Sequence, residues 1–231
     1  METCVLENTT NVREYAYQTL RQRILSLDLL PRTKLSEQKT SKELGISRTP
    51  IREAFMKLRD EELLDIYPQS GTFVAKIDLN HAEEARFMRE LIEGPIAAQA
   101  CECLNEDSIF NLKSNIMMQK LCMDTAPKNH KRFFDLDEAF HQEIFTMCNH
   151  SYTWQMLNQV TFHLKRYRLA RVTLMDSVDW QIIIDQHQTI LDNLLARDAK
   201  QVKACIDEHL HLMLIEKDIL IARYPELFKP E

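Results

Sequence analysis

The stretch Ser47–Phe55, "SRTPIREAF", decides how the first third of the chain is read. It places Pro50 where the residues around it turn helical, and it sets Arg48 and Arg52 four positions apart. In the first turn of a helix the backbone N–H groups have no intrahelical acceptor. Proline there loses no hydrogen bond and pre-sets φ. Pro50 therefore marks a helix start, with Ser47 or Thr49 as the cap. Arg48 and Arg52 then share one face at the positive end of the helix dipole, where an anion is welcome.

Upstream, "VREYAYQTLRQRILSL" (12–27) repeats apolar residues at helical spacing, and Pro31 breaks the chain. "LSEQKTSKELG" (35–45) reads as a short helix capped by Ser36 and ended by Gly45. Downstream, two β-rich runs (63–67 and 72–77) flank the turn residues Pro68, Gln69, Ser70 and Gly71, which predicts a hairpin. Helix, helix, tight turn, helix and hairpin within residues 1–78 is the order of a winged helix-turn-helix. In that motif the N-terminal end of the second helix meets phosphates and base edges in a major groove. On arginine spacing alone, a solvated cationic face partly neutralised by Glu53 or Asp60 would serve as well. The preceding helix, the turn at Gly45 and the wing shift the reading to DNA binding.

Past Asp78 no strand pattern follows. Helical runs fall near 80–103, 106–124, 130–148, 152–175, 178–196 and 199–222, so residues 79–231 are expected to form an all-α helical bundle. The chain is mainly α throughout. Its 231 residues, 45% of them apolar, can build a real core, and 3 Gly with 7 Pro argue against a many-turned β-protein. The net charge of −6 comes entirely from residues 79–231; the first 78 balance 12 cations against 12 anions. That permits a nucleic-acid surface there without establishing one. No leader and no apolar run of about 20 residues is present, so a cytoplasmic protein with no membrane partner is expected. Six cysteines without a CxxC pair read as reduced thiols; Cys101 and Cys103 lack a second pair for zinc.

Helical plots of the bundle raise a second question. In 130–148, Phe134, Ile144, Phe145 and Cys148 form an apolar stripe with Asp137 and His141 inside it. In 178–196, His187 sits at the centre of Trp180, Ile183, Ile184, Ile190, Leu191 and Leu194. In 199–222, His209 is centred among Val202, Cys205, Ile206, Leu212, Met213 and Leu220, while His211 points about 200° away. His187 and His209 are equidistant from Asp198 in the turn "ARD", so an antiparallel hairpin brings them level. A lone buried histidine is commonly a hydrogen-bonded core residue. Three on separate apolar stripes, joined by a carboxylate, are hard to satisfy by mutual hydrogen bonds. A divalent Zn, Ni, Mn or Fe ion, one per subunit, would satisfy them.

"GISRTPIREAFMKL" followed by a Gly-containing wing resembles the DNA-binding domain of the GntR family of bacterial transcription regulators. The helical remainder resembles the FCD effector domain of its FadR-type subgroup. The resemblance implies that Arg48 and Arg52 contact operator DNA, helped by Ser47, Thr49, Ser70 and Gly71. "DEAFH" (137–141), "HQTIL" (187–191) and "ACIDEHL" (204–210) match the FCD metal pattern, which carries over Asp137, His141, His187 and His209 as ligands. Arg89 is suggested as a cationic contact for a small carboxylate effector, although it could equally pair with Glu93; Arg168 is a further candidate. The family departs from this chain in having Gly after the first helix, where Leu27 and Arg32 stand, and Arg in some members at Gln38.

The expected function is a ligand-responsive repressor, not an enzyme, binding a palindromic operator as a homodimer. A regulator with a metal-free effector pocket is the alternative. A helical metalloenzyme would need a general base, and Glu138 is turned about 60° from His141.

Overall fold

The computed structural model describes residues 6–175, 179–211 and 217–230. Cys4, Leu212 and Met213 lie outside them. The chain divides into one unit of Met1–Asp78 with Arg223–Glu231 and another of Leu79–Ala222.

The first unit holds α1 (Leu6–Leu25), β1 (Lys34–Leu35), α2 (Glu37–Leu44), α3 (Arg48–Asp60), β2 (Leu64–Tyr67) and β3 (Gly71–Val74). Ser36 caps α2, its side chain accepting from the Lys39 N–H, and Gly45 ends it at φ 67°, with its N–H bonded to the Ser41 carbonyl. Helix α3 buries Ile51, Ala54, Phe55 and Leu58 at helical spacing, and packs on α1, whose Ala16, Leu20 and Ile24 are buried. Ser47 is the N-cap residue, so Thr49 lies inside the helix and Pro50 in its first turn. The sheet is antiparallel in the order β1-β3-β2, with Lys34 and Asp65 both opposite Phe73.

Two features differ from the sequence reading. Strand β1 was not expected; it is two residues long, set by pairing with β3 rather than by any pattern of its own. The second run of the hairpin, expected to reach residue 77, leaves the sheet after Val74. The Ile77 N–H then bonds the Leu227 carbonyl at 2.8 Å. The tail Arg223–Glu231, placed by the sequence reading in the helical domain, thus belongs with the first unit.

The second unit comprises α4 (Leu79–Cys103), α5 (Glu106–Asp124), α6 (His130–Met147), α7 (Ser151–Val160), α8 (Phe162–Leu174), α9 (Trp180–Leu195) and α10 (Ala199–His211). Helix α11 (Lys217–Arg223) follows. The single helix expected over 152–175 divides at Thr161, where ψ moves to 18°. Helix α4 packs against α6, α8 and α10. At Gly94 a Cβ would stand 2.8 Å from Asp207 Oδ1 and 3.1 Å from Lys203 Cγ, so side chains of α10 lie over the bare backbone of α4 there. Asp198 caps α10 from the turn after α9, accepting from the Gln201 N–H at 3.1 Å.

Candidate functional site

On the first unit, Ser47, Arg48, Thr49 and Arg52 are all exposed at the start of α3. Arg48 makes no ion pair among the described residues, and the Ser47 side chain makes no capping hydrogen bond. Arg52 is paired, though not with Glu53 or Asp60. Its guanidinium meets Glu37 of α2, with Nε 3.0 Å from Oε1 and Nη2 3.0 Å from Oε2. Glu53 and Asp60, the neutralising partners considered from sequence, pair instead with Arg13 and Arg59. The wing turn exposes Ser70 and holds Gly71 at φ 120°, where a Cβ would strike Lys34 Cε at 2.8 Å. The backbone conformation disfavours any other residue here, whereas the Lys34 chain end could move aside.

In the second unit, Asp137 and His141 of α6, His187 of α9 and His209 of α10 are brought together. One ligand atom from each lies within 4.8 Å of all the others, and all four side chains are buried. His211, two residues past His209, is exposed. The His141 and His209 Nε2 atoms are 3.1 Å apart, and Asp137 Oδ1 is 3.7 Å from His187 Nε2 and 4.0 Å from His209 Nε2. Two atoms each about 2.1 Å from one ion are separated by about 3.0 Å at a right angle and about 3.4 Å in a tetrahedron. The cluster has the size of a coordination shell.

The outward nitrogens have partners of their own. His187 Nδ1 is 2.9 Å from Gln119 Oε1, and Gln119 Nε2 donates to Asn115 Oδ1, whose own amide donates to the Leu136 carbonyl. This relay orients the Gln119 oxygen toward the imidazole. His209 Nδ1 is 2.9 Å from Gln186 Oε1, and His141 Nδ1 is 2.8 Å from Glu93 Oε2. A neutral His187 or His209 that donates through Nδ1 to its glutamine oxygen presents a lone pair at Nε2, and His141 Nδ1 faces the Glu93 carboxylate. The three Nε2 atoms and an Asp137 oxygen converge; His141 and His209 Nε2 lie within hydrogen-bond distance of each other, so either one of them carries a proton or a cation stands between them, and His187 Nε2 has no hydrogen-bond partner. Such a donor set fits a cation, and the outer partners are those that orient metal-bound imidazoles.

Charge runs the same way. Burial pushes His187 down to about 3 and His209 well below its ordinary value, so both rings are neutral at pH 7. Burial would raise Asp137, but Arg168, His141 and His187 outweigh it and hold the carboxyl far below the usual carboxylate range. Glu93 is likewise lowered to about 2, Arg89 and His141 overcoming its burial. Arg168 binds the other oxygen of Asp137 and also Glu138. Arg89 pairs with Glu93, and its Nη1 is 3.5 Å from Glu138 Oε1. The two arginines thus hold the carboxylates that in turn hold the cluster.

Beside Asp137 and His209 lies a cavity of about 30 Å³, walled by Phe133, Phe134, Val172, Ile183 and Leu210 and by Arg168 and Arg171. It holds about one water molecule. Arg89 is not among its walls.

Gln119, Gln186 and Arg171 escaped the sequence reading. Gln119 follows Leu112 and Ile116 on the buried stripe of α5, the same signal that singled out the histidines. Gln186 is half-buried and off any stripe, and Arg171, in the last turn of α8, reads as an ordinary helix-terminal cation.

Two family models match the chain: "Bacterial regulatory proteins, gntR family" over residues 12–74 and "FCD domain" over residues 84–212. An HTH-type transcriptional regulator in an unstable DNA locus of Streptomyces ambofaciens is 32% identical, covering 95% of this chain and 90% of that protein. The HTH-type transcriptional repressor RspR of Escherichia coli is 29% identical, covering 89% and 88%. Among solved structures, Escherichia coli McbR/YncC superposes with a TM-score of 0.73 at 19% identity, over 92% of this chain and 98% of that one. That last likeness is one of fold.

Proposed function

Because the chain belongs to the GntR family of bacterial regulatory proteins and carries an FCD domain, we propose that this transcriptional regulator senses a small carboxylate through a metal-assisted site. The observation that carries the reading is the convergence of three imidazole nitrogens and an Asp137 oxygen, each ring held from behind by an oxygen. Asp137, His141, His187 and His209 would hold one divalent Zn, Ni, Mn or Fe ion per subunit. Bound there, the ion supplies a Lewis-acidic centre that accepts an oxygen ligand.

The protein's own groups do the rest. Arg168 fixes Asp137 so that one oxygen faces the imidazoles, and Arg168 and Arg171 offer positive charge to an acid in the cavity. At about 30 Å³ the cavity admits a water but not an acid, so its aromatic and aliphatic walls must part for the effector. Arg89, the sequence candidate for effector contact, is better cast as the support of Glu93 and Glu138. Glu138, the carboxylate a hydrolase would use as base, is held far below the usual carboxylate range because Lys165, Arg168 and Arg89 outweigh its burial, which leaves it a weak proton acceptor. That engagement favours a sensor over a metalloenzyme.

The DNA-binding surface is formed by Ser47, Arg48, Thr49 and Arg52 on α3 with Ser70 and Gly71 on the wing. One recognition helix reads few base pairs, so a homodimer on a palindromic operator is expected. Tight binding of a monomer to a single half-site would contradict this, read by light scattering and gel shift. Repression is the sign adopted, as in the relative named a repressor; the reading places the protein in the cytoplasm, with no membrane partner.

Operator affinity measured by fluorescence anisotropy, with and without a panel of small carboxylic acids, tests the site. Metal-loaded protein should lose operator affinity in the presence of its acid, and chelated protein should not respond. An undiminished response after chelation would transfer the reading to a metal-free pocket.

A further inference from the structure

We infer that the C-terminal tail is a working part of the DNA-binding unit: Leu227 and Phe228 position the wing. The wing's descending strand ends at Val74, and the chain after it needs other partners. Ala75 N–H bonds the Leu63 carbonyl at 3.0 Å, while Ile77 finds its partners in the tail. The Ile77 N–H bonds the Leu227 carbonyl at 2.8 Å, and the Lys229 N–H bonds the Ile77 carbonyl at 2.9 Å. This parallel bridge, Ile77 with Phe228, adds a fragment of strand from the end of the chain to the base of the hairpin.

Side chains seal the joint. Ile77 is 0% exposed, Phe228 2% and Leu227 4%, so the tail buries two large apolar groups within this unit. Lys229 Nζ lies 3.1 Å from Asp78 Oδ2 across the bridge. A short 3-10 turn, Pro225–Leu227, brings the chain in, and Pro225 accepts from the Phe228 N–H. Without the tail, two backbone groups of Ile77 lose their partners and a buried isoleucine meets water. Each loss is of the kind that loosens a small domain.

The consequence is functional because the hairpin carries Ser70 and Gly71. Val74 is tied to Arg32 and Thr33 and Ala75 to Leu63, and the tail is the further anchor just below them; with it gone the hairpin tilts more freely, and its tip no longer meets DNA at a fixed distance from α3. The inference rests on the wing contacting DNA, and the test separates the two. Full-length Phe228→Ser and Leu227→Ser proteins, with Phe228→Leu as the conservative variant, are compared with wild type on a palindromic operator. Deuterium uptake across the peptide containing Ile77 should rise at least tenfold in rate in the serine variants, with uptake across α5 and α6 unchanged. Hydroxyl-radical footprints should lose the wing-tip protections while keeping those of α3, and operator affinity should fall at least tenfold. Phe228→Leu should restore all three. Unchanged uptake at Ile77, or protections lost uniformly over the whole site, would overturn the inference. Wild type that shows no wing-tip protection would instead remove the premise that the wing contacts DNA, and the inference falls with it.

Discussion

Replacing His187 or His209 by alanine is expected to empty the buried cluster: metal after gel filtration, measured by mass spectrometry, should drop from about one ion per chain to near none. A ligand bound only by the native state stabilises by about 4 kcal/mol at a thousandfold excess over its dissociation constant. For a chain of this length that lowers the melting temperature by on the order of 10 °C when binding is lost. The fold itself should survive, because the apolar stripes of α6, α9 and α10 remain. Chelated wild type is the control that separates lost metal from lost packing, since His187→Ala also strands the Gln119 oxygen. His211→Ala should change neither metal content nor melting temperature, its side chain being 66% exposed. Metal lost in His211→Ala and retained in His209→Ala would mean the ion sits elsewhere.

Arg48→Ala should weaken operator binding by about ten- to a hundredfold, the range set by one bidentate contact to a guanine edge. Its melting temperature should stay near that of wild type, since Arg48 is exposed and makes no ion pair among the described residues. The loss should be confined to the cognate operator. Equal weakening on all sequences, with a salt slope lower by about one, would make it a phosphate contact instead. Arg52→Ala carries a second effect, because it leaves Glu37 unneutralised on the same exposed face. Comparing it with Glu37→Gln/Arg52→Ala isolates that repulsion. Full activity in both Arg48→Ala and Arg52→Ala would remove α3 as the reading helix.

Local sequence chemistry accounts for most of what could be foreseen. Ser36, Gly45 and Pro50 act within a turn of their own positions, so the helices they bound were legible. The four cluster residues stood out because a polar side chain inside an apolar stripe is a local contradiction, visible before any packing is known. What was not legible depends on partners distant in the chain. Strand β1 exists because β3 pairs with it, and the bridge at Phe228 because Ile77 awaits it. The break at Thr161 has neither glycine nor proline to announce it. Arg52 looked free because Glu37 lies on another helix. Arg168 was a candidate only through the family resemblance, and Arg171 is buried on a helix so rich in cations that no stripe singles it out.

The sealing of the cluster has a bearing on time as well as affinity. Asp137, His141, His187 and His209 are 4%, 1%, 0% and 6% exposed, and the adjoining cavity has room for little more than a water. An ion seated among them meets solvent only through that narrow cavity, so it leaves no faster than the walls around Asp137 and His209 give way, whatever its equilibrium preference. Exchange is then slow beside the lifetime of a passing metal fluctuation. Occupancy would record the metals on hand while the chain folded, and the protein would keep that memory until it is degraded.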